Sequence, residues 1–284
     1  MSSLVELLHV FDVQPASDGN YRGTSDGGTR KVVDGSQLLA QAIVAAAKST
    51  PEKSVRSAHA SFCRAVDADA EVAFDVASVR AGRTFADVLV TVRQADRTCA
   101  LVHVLLDVPQ ADVIRHAAAP PRPSSPDDAL PCEMPLTGRE LRIVGVQDVN
   151  AADEVGPPEL DAWLRYDVIP TRDELAKALL AHFTGHLAIS TTMRAHPGIG
   201  TELAHRTVST AVTTIDVMFH EPVSWDGWLL YAHDSTYVGS GMSYVRGQVF
   251  AEDDRLIASF GQQGMIRSFV RQAADAAIPV EARL

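Results

Sequence analysis

The chain has 284 residues, 46% of them hydrophobic and 21% charged, with 25 basic against 36 acidic side chains and a net charge of −11. That balance excludes a protein that coats polyanions, which needs a basic footprint. It does not exclude a small anionic ligand, because a local site can be positive on an acidic surface.

No apolar run approaches the roughly 18 residues of a membrane span. The opening MSSLVELLHVFDV carries Glu6 and Asp12 and lacks a basic leader, so no secretory signal is expected. Three widely spaced cysteines, Cys63, Cys99 and Cys132, offer neither a disulfide framework nor a zinc ribbon, and a cytoplasmic protein is expected.

In chain order, the first strong element is a helix. Asp34 or Ser36 can cap the run Gln37 to Lys48, which is nearly all apolar or alanine and must be wrapped by a sheet over most of its circumference. Alternating β-branched segments follow, with an acidic turn at Gln94-Ala95-Asp96-Arg97. Seven of the 15 prolines then fall between Pro109 and Pro135. Proline fixes φ and removes backbone donors, so this stretch reads as an extended linker. The expected division is a domain over 1–110, a Pro-rich linker over 111–138 and a second domain over 139–284.

The second domain also opens on a helix. Thr171-Arg172-Asp173-Glu174 reads as a capping box, with Leu175, Leu179, Phe183 and Leu187 following at helical spacing. Thr210 to Phe219 then alternates as a strand. At an offset of 157 residues, Ala58 to Leu106 matches Ile215 to Gln263 without gaps, pairing Phe62 with Phe219, Ser78 with Ser235 and Gly82 with Gly239 among others. One buried helix followed by an antiparallel sheet, twice, predicts an α+β protein made by internal duplication.

The copies differ in chemistry. Asp216 stands on a strand with Val212, Thr214, Met218 and His220 on its own face; a desolvated carboxylate there would need a partner or a task. Thr236 and Gln262 lie on later strands of the same half. The offset sets the three opposite His59, Val79 and Leu105, so acid, hydroxyl and amide occur together in one copy alone.

Several segments resemble the acyl-CoA thioesterase II family: Thr214 to Pro222, Trp228-Leu229-Leu230-Tyr231 leading to Ser235-Thr236, Val245-Arg246-Gly247, and Ala258-Ser259 leading to Gln262, Gly264 and Arg267. In the first half, Tyr21-Arg22-Gly23, Asp34-Gly35-Ser36-Gln37 and His59 to Arg64 follow the same order. The resemblance implies a double hotdog, two antiparallel sheets each wrapped around a long helix. It implies hydrolysis of fatty acyl-CoA by an activated water, without a cofactor or metal, with Asp216, Thr236 and Gln262 as the catalytic set. A thioester is reactive enough for an oriented water and a carboxylate base to suffice. Backbone N–H groups at Gly35 and Ser36 are the oxyanion candidates, since a helix N-terminus offers unpaired donors and a favourable dipole. Here the family's Gly-Gly-Gln gives way to Asp34-Gly35-Ser36-Gln37, read as one extra residue. Tyr244, Arg246 and Arg267 are candidates for contacting coenzyme A. Exposed sheet edges favour a homo-oligomer.

Other readings are open at this level. A catalytically weak double hotdog that binds acyl-CoA or lipid, or serves in assembly, fits the altered helix start. Asp216 and His220 resemble the acid–histidine pair of hotdog hydratases, without the Asn-Pro between them. His182 and His186 share a helix face, but no third ligand is evident. Cys63 and Cys99 read as core thiols.

Overall fold

The computed structural model describes residues 3–28, 31–122, 124–204 and 206–268, so Pro123 of the linker lies outside the described residues. The first half comprises α1 (Leu4–Phe11), β1 (Gln14–Pro15), β2 (Tyr21–Gly23), α2 (Gly35–Ser49), β3 (Ser54–Phe62), β4 (Val72–Ala81), β5 (Phe85–Gln94) and β6 (Arg97–Asp107). The second comprises β7 (Ala129–Pro131), β8 (Arg139–Val144), β9 (Glu159–Tyr166), α3 (Asp173–Thr184), α4 (Ala188–Met193), β10 (Val208–Phe219), β11 (Leu229–Gly239), β12 (Met242–Ala251) and β13 (Leu256–Ser268).

The strands run in the order β1-β2-β4-β5-β6-β3-β10-β13-β12-β11-β9-β8-β7, a single 13-stranded sheet. The expected two sheets are therefore joined edge to edge, by antiparallel pairing of β3 with β10. The register is symmetric about one pair: Ser61 faces Thr214, His59 faces Asp216 and Ser57 faces Met218. His59 and Asp216 are the same position in the two copies, 157 residues apart. The copies thus meet across a pseudo-two-fold axis that passes through them.

Both long helices lie inside the curl of this sheet. In α2 every residue from Ser36 to Ala46 is buried, which is why its sequence carries no polar face. Asp34 is its N-cap, as one of the two expected candidates. Gln41 Nε2 donates to Val10 O at 2.9 Å and Thr24 O at 2.8 Å, fastening α2 to α1 and to the chain just past the end of β2. In α3 the N-cap is Arg172, without a side-chain cap, so the capping box expected from Thr171 does not form. Arg172 instead makes a bidentate pair with Asp12 of the first half, at 3.0 and 2.8 Å. The helix ends at Thr184, and Leu187 sits beyond it in the left-handed region at φ 64°. Tyr231 O–H donates to Leu180 O at 3.2 Å and Trp225 Nε1–H to Ala176 O at 3.1 Å, which anchors α3 on its own sheet. Lys177, almost wholly buried, donates to Val55 O of β3 at 2.9 Å and so ties α3 to the other half.

The Pro-rich segment is more structured than a bare linker. It carries β7, whose Pro131 stands on the outermost strand, where a missing donor is tolerated. Arg122 grips Asp161 at 2.7 and 2.6 Å, and Trp163 Nε1–H donates to Ser124 Oγ at 3.2 Å. The segment thereby runs over the outer face of the second half. There Ala129 packs with Trp163, Trp228, Leu230, Ala232 and Phe250 in a small core of its own.

The start of α2 meets the end of α3 at close range. A Cβ added to Gly185 would fall 2.4 Å from Ser36 Cβ, so serine at 36 is compatible with glycine alone at 185. Gly185→Ala should lower stability by about 1–3 kcal/mol, the usual cost of overpacking. Adding Ser36→Gly should recover part of that loss. Thermal denaturation of the single and double variants checks the coupling; a double variant no more stable than Gly185→Ala would contradict it.

Candidate active site

Past Ser61 and Thr214 the two central strands part. β10 continues along β13 toward Val208, while the chain after β3 turns away through Phe62 to Val66. The opening is a slot of about 400 Å³ between the two halves, directly over the N-terminus of α2. Val32, Val33, Leu38, Phe62, Val66, Ile189, Val212 and Met265 give it apolar walls; Asp34, Gly35, Cys63, Arg64, Gly185 and Thr213 also line it.

Around the slot the sequence-derived candidates separate. β10 is inward-facing at Ile215, Val217 and Phe219, all essentially inaccessible. Side chains alternate along a strand, so Asp216 points to the outer face. Its carboxylate accepts from or pairs with His59 Nδ1 at 2.8 Å, with both side chains about half exposed. The desolvated acid expected from the sequence is thus a solvated one on the outer surface, and it does not line the slot. His59 stacks at 6.2 Å on His103, whose Nε2 lies 3.2 Å from Asp87 Oδ1.

Gln262 lies on the inner face. It is opposite Ile215 in the β10–β13 register and is 2% exposed. Among the described residues, neither its amide nitrogen nor its amide oxygen has a hydrogen-bond partner. Leaving such groups unmatched costs on the order of 1–3 kcal/mol each, so this amide is suited to a water or a ligand atom. Gln262 does not itself line the slot; its ladder partner Ile215 reaches within 3.4 Å of where a Cβ on Gly185, a slot residue, would stand.

Thr236 sits in a register shift of β11, between Ser235 and Tyr237. It is exposed and donates to Tyr244 O at 3.3 Å. The hydroxyl that does face inward is its neighbour Ser235, 2.9 Å from Thr192 Oγ1 on α4. Asp216, Thr236 and Gln262 are therefore not brought to one point. Tyr244 and Arg246 also belong to the outer face, where Arg246 pairs with Asp234 at 2.8 Å, and Arg267 is exposed near the end of β13 against Gly241. None of the three lines the slot. The rings of His182 and His186 lie 4.8 Å apart, edge to face, and Phe183 stacks on His186.

At the helix start, Asp34 Oδ1 accepts hydrogen bonds from Ser36 N–H at 3.0 Å and Ser36 Oγ–H at 2.9 Å. The Ser36 N–H, expected as an oxyanion donor, is thus engaged by the cap, and the Gly35 N–H remains as the candidate. Burial raises the Asp34 carboxyl, but His186 and the bonds from Ser36 outweigh it and hold it below the ordinary carboxylate value. Burial pushes His182 down to about 3 and His233 to about 4. His233 is fully inaccessible beside Phe260, with its Nδ1 near Leu160 O and Tyr231 O. Sequence reasoning missed Ser235, Thr192 and His233; the inward parity of β11, marked by Tyr231, was the signal that could have found Ser235 and His233.

A curled antiparallel sheet closed around two central helices, duplicated about a pseudo-two-fold with a slot at the seam, defines a double hotdog. A conserved protein with the hot dog fold from Alicyclobacillus acidocaldarius matches 93% of this chain and 99% of its own at a TM-score of 0.74 and 17% identity. The tesB protein of Mycobacterium avium subs paratuberculosis matches 93% of this chain and 100% of its own at a TM-score of 0.80 and 22% identity. Acyl-CoA thioesterase 2 of Haemophilus influenzae is 28% identical over 287 residues, covering 93% of this chain and 98% of that protein. The acyl-CoA thioesterase N-terminal domain matches residues 25–106 and the C-terminal domain residues 115–266. The chain belongs to the acyl-CoA thioesterase family.

The two neutral histidines have a consequence for stability. An unfolded histidine binds a proton near pH 6.5, whereas His233 and His182 in the native state do so only near 4 and 3. Between those limits the unfolded state holds more protons, so each contributes stability that is present above pH 6.5 and lost as pH falls. His233→Gln should flatten the fall of stability between pH 6.5 and 4.5 by up to about 1.4 kcal/mol per pH unit. Denaturant titrations at several pH values measure it; an unchanged slope would contradict a neutral native His233.

Proposed function

We propose that this protein hydrolyses acyl-CoA thioesters to free acid and coenzyme A in the seam slot, using an activated water. The carrying observation is the slot itself: apolar walls to take an acyl chain, the N-terminus of a buried helix at its base, and an unmatched buried amide near it. The thioester carbonyl would lie at the Gly35 N–H, where the α2 dipole favours the charge that develops on oxygen. Gln262 can both donate to and accept from a water, which would orient it for attack. The names of the relatives point to the same substrate class. Release of free thiol from a panel of acyl-CoA chain lengths tests the activity. Turnover is expected; tight acyl-CoA binding without turnover on any member would favour the alternative, a binding or assembly protein.

Arg64 is the one Lys or Arg among the described residues lining the slot, and it is exposed at the outside. We assign it the coenzyme A end of the substrate, replacing the outer-face candidates. Arg64→Ala should raise KM about tenfold for acyl-CoA, the loss of one charge-assisted contact, and leave KM for a truncated N-acetylcysteamine thioester unchanged. Equal effects on both would remove Arg64 from that role. Gln262→Ala should lower kcat on the order of 100-fold; full activity would mean that the amide takes no part.

Among the described residues no helix is long and apolar enough to cross a membrane. We also propose a cytoplasmic homo-oligomer. The three cysteines are free thiols, and Tyr237, Val238, Leu101 and Met218 are exposed, surface that a second copy would cover.

A further inference from the structure

We propose that Asp34, the N-cap of α2, is the carboxylate that activates the water, in place of Asp216. The inference rests on the hydrolase reading above and deepens it. Three observations carry it. Asp216 lies on the outer face of the sheet, bound to His59 at 2.8 Å, and does not line the slot. Asp34 is the one carboxylate among the described residues that does, beside Gly35, Gly185 and Thr213. Finally, its orientation is fixed, since Ser36 N–H and Oγ–H both hold Oδ1. A carboxylate oxygen can accept several hydrogen bonds at once, so this anchoring is compatible with taking a proton.

The chemistry balances with water as the sole co-reactant. As the water oxygen bonds to the carbonyl carbon, its proton passes to the Asp34 carboxylate. The carbonyl π pair moves onto oxygen, where the Gly35 N–H meets it. The tetrahedral intermediate collapses, the C–S bond breaks, and the electron pair leaves on the coenzyme A sulfur, which takes the proton back from Asp34. The products are the carboxylic acid and the free thiol. An ionised carboxylate beside a developing oxyanion would be repulsive if both were charged together. Here the base loses its charge as the oxyanion gains one, so one negative charge moves a short way along the same helix N-terminus, where the dipole favours it throughout. His186, just beyond the end of α3, and the bonds from Ser36 hold the Asp34 carboxyl below the ordinary carboxylate value, so it is ionised at neutral pH.

A merely structural cap and a base can be told apart, because Asn and Ser cap a helix about as well as Asp. Asp34→Asn and Asp34→Ser should each keep the wild-type Tm and bind a non-hydrolysable acyl-CoA thioether as tightly as wild type. Both should lose at least about 100-fold in kcat. Asp216→Asn should turn over at the wild-type rate. Wild-type kcat in either Asp34 variant would overturn the assignment, and so would a comparable loss in Asp216→Asn. An inert wild type that still binds the thioether would overturn the hydrolase reading and Asp34's role with it, a result distinct from active wild type with active Asp34 variants.

Discussion

The pairing of β3 with β10 is the constraint on which the rest of the molecule depends. It joins two curled sheets into one, and its symmetric register sets His59 against Asp216 on the axis that relates the two copies. Because the sheet is closed at its centre, α2 and α3 are enclosed together and must pack on each other. Their contact at Ser36 and Gly185 is close enough to exclude a side chain on the glycine. Where the pairing ends, the same geometry leaves a gap in the seam that opens onto the N-terminus of a buried helix. Fold and site are consequences of one strand pair and its limits.

Face parity then decides which polar residues can act there. A strand shows its side chains alternately to the two faces, and a shift of one residue exchanges them. Ile215, Val217 and Phe219 fill the interior, so Asp216 is turned to solvent. Gln262 shares Ile215's position across the ladder and is therefore inside. At the β11 irregularity, Ser235 turns toward α4 while Thr236 is exposed. The asymmetry between the copies is real, but it is divided between two faces. On the outer face it gives an acid–histidine pair across the seam, and on the inner face an unmatched amide.

Much of this was legible in the sequence. The 157-residue repeat is realised strand for strand: Phe85–Gln94 and Met242–Ala251 correspond end to end. The apolar run after Asp34 gave the buried helix and its cap. The alternation around Asp216 was also readable, and the wholly apolar opposite face already marked which side was the core. The catalytic set of Asp216, Thr236 and Gln262 rests on resemblance of local segments, which aligns residues without regard to the face each one occupies. The edge-to-edge joining of the sheets was not legible, because it depends on hydrogen bonds between strands about 150 residues apart whose sequences resemble any other strand. The capping box at Thr171 failed for a tertiary reason: Arg172 is drawn to Asp12 in the other half.

The central claim, that the thioester is held in the seam over the start of α2, is tested most directly by a crystal structure with a non-hydrolysable acyl-CoA thioether. The acyl chain is expected between Leu38 and Val212, the sulfur and its neighbouring carbon beside Gly35 and Asp34, and the coenzyme A portion leaving past Arg64. An analogue bound instead on the outer face against Asp216 and His59, with the slot unused, would contradict it.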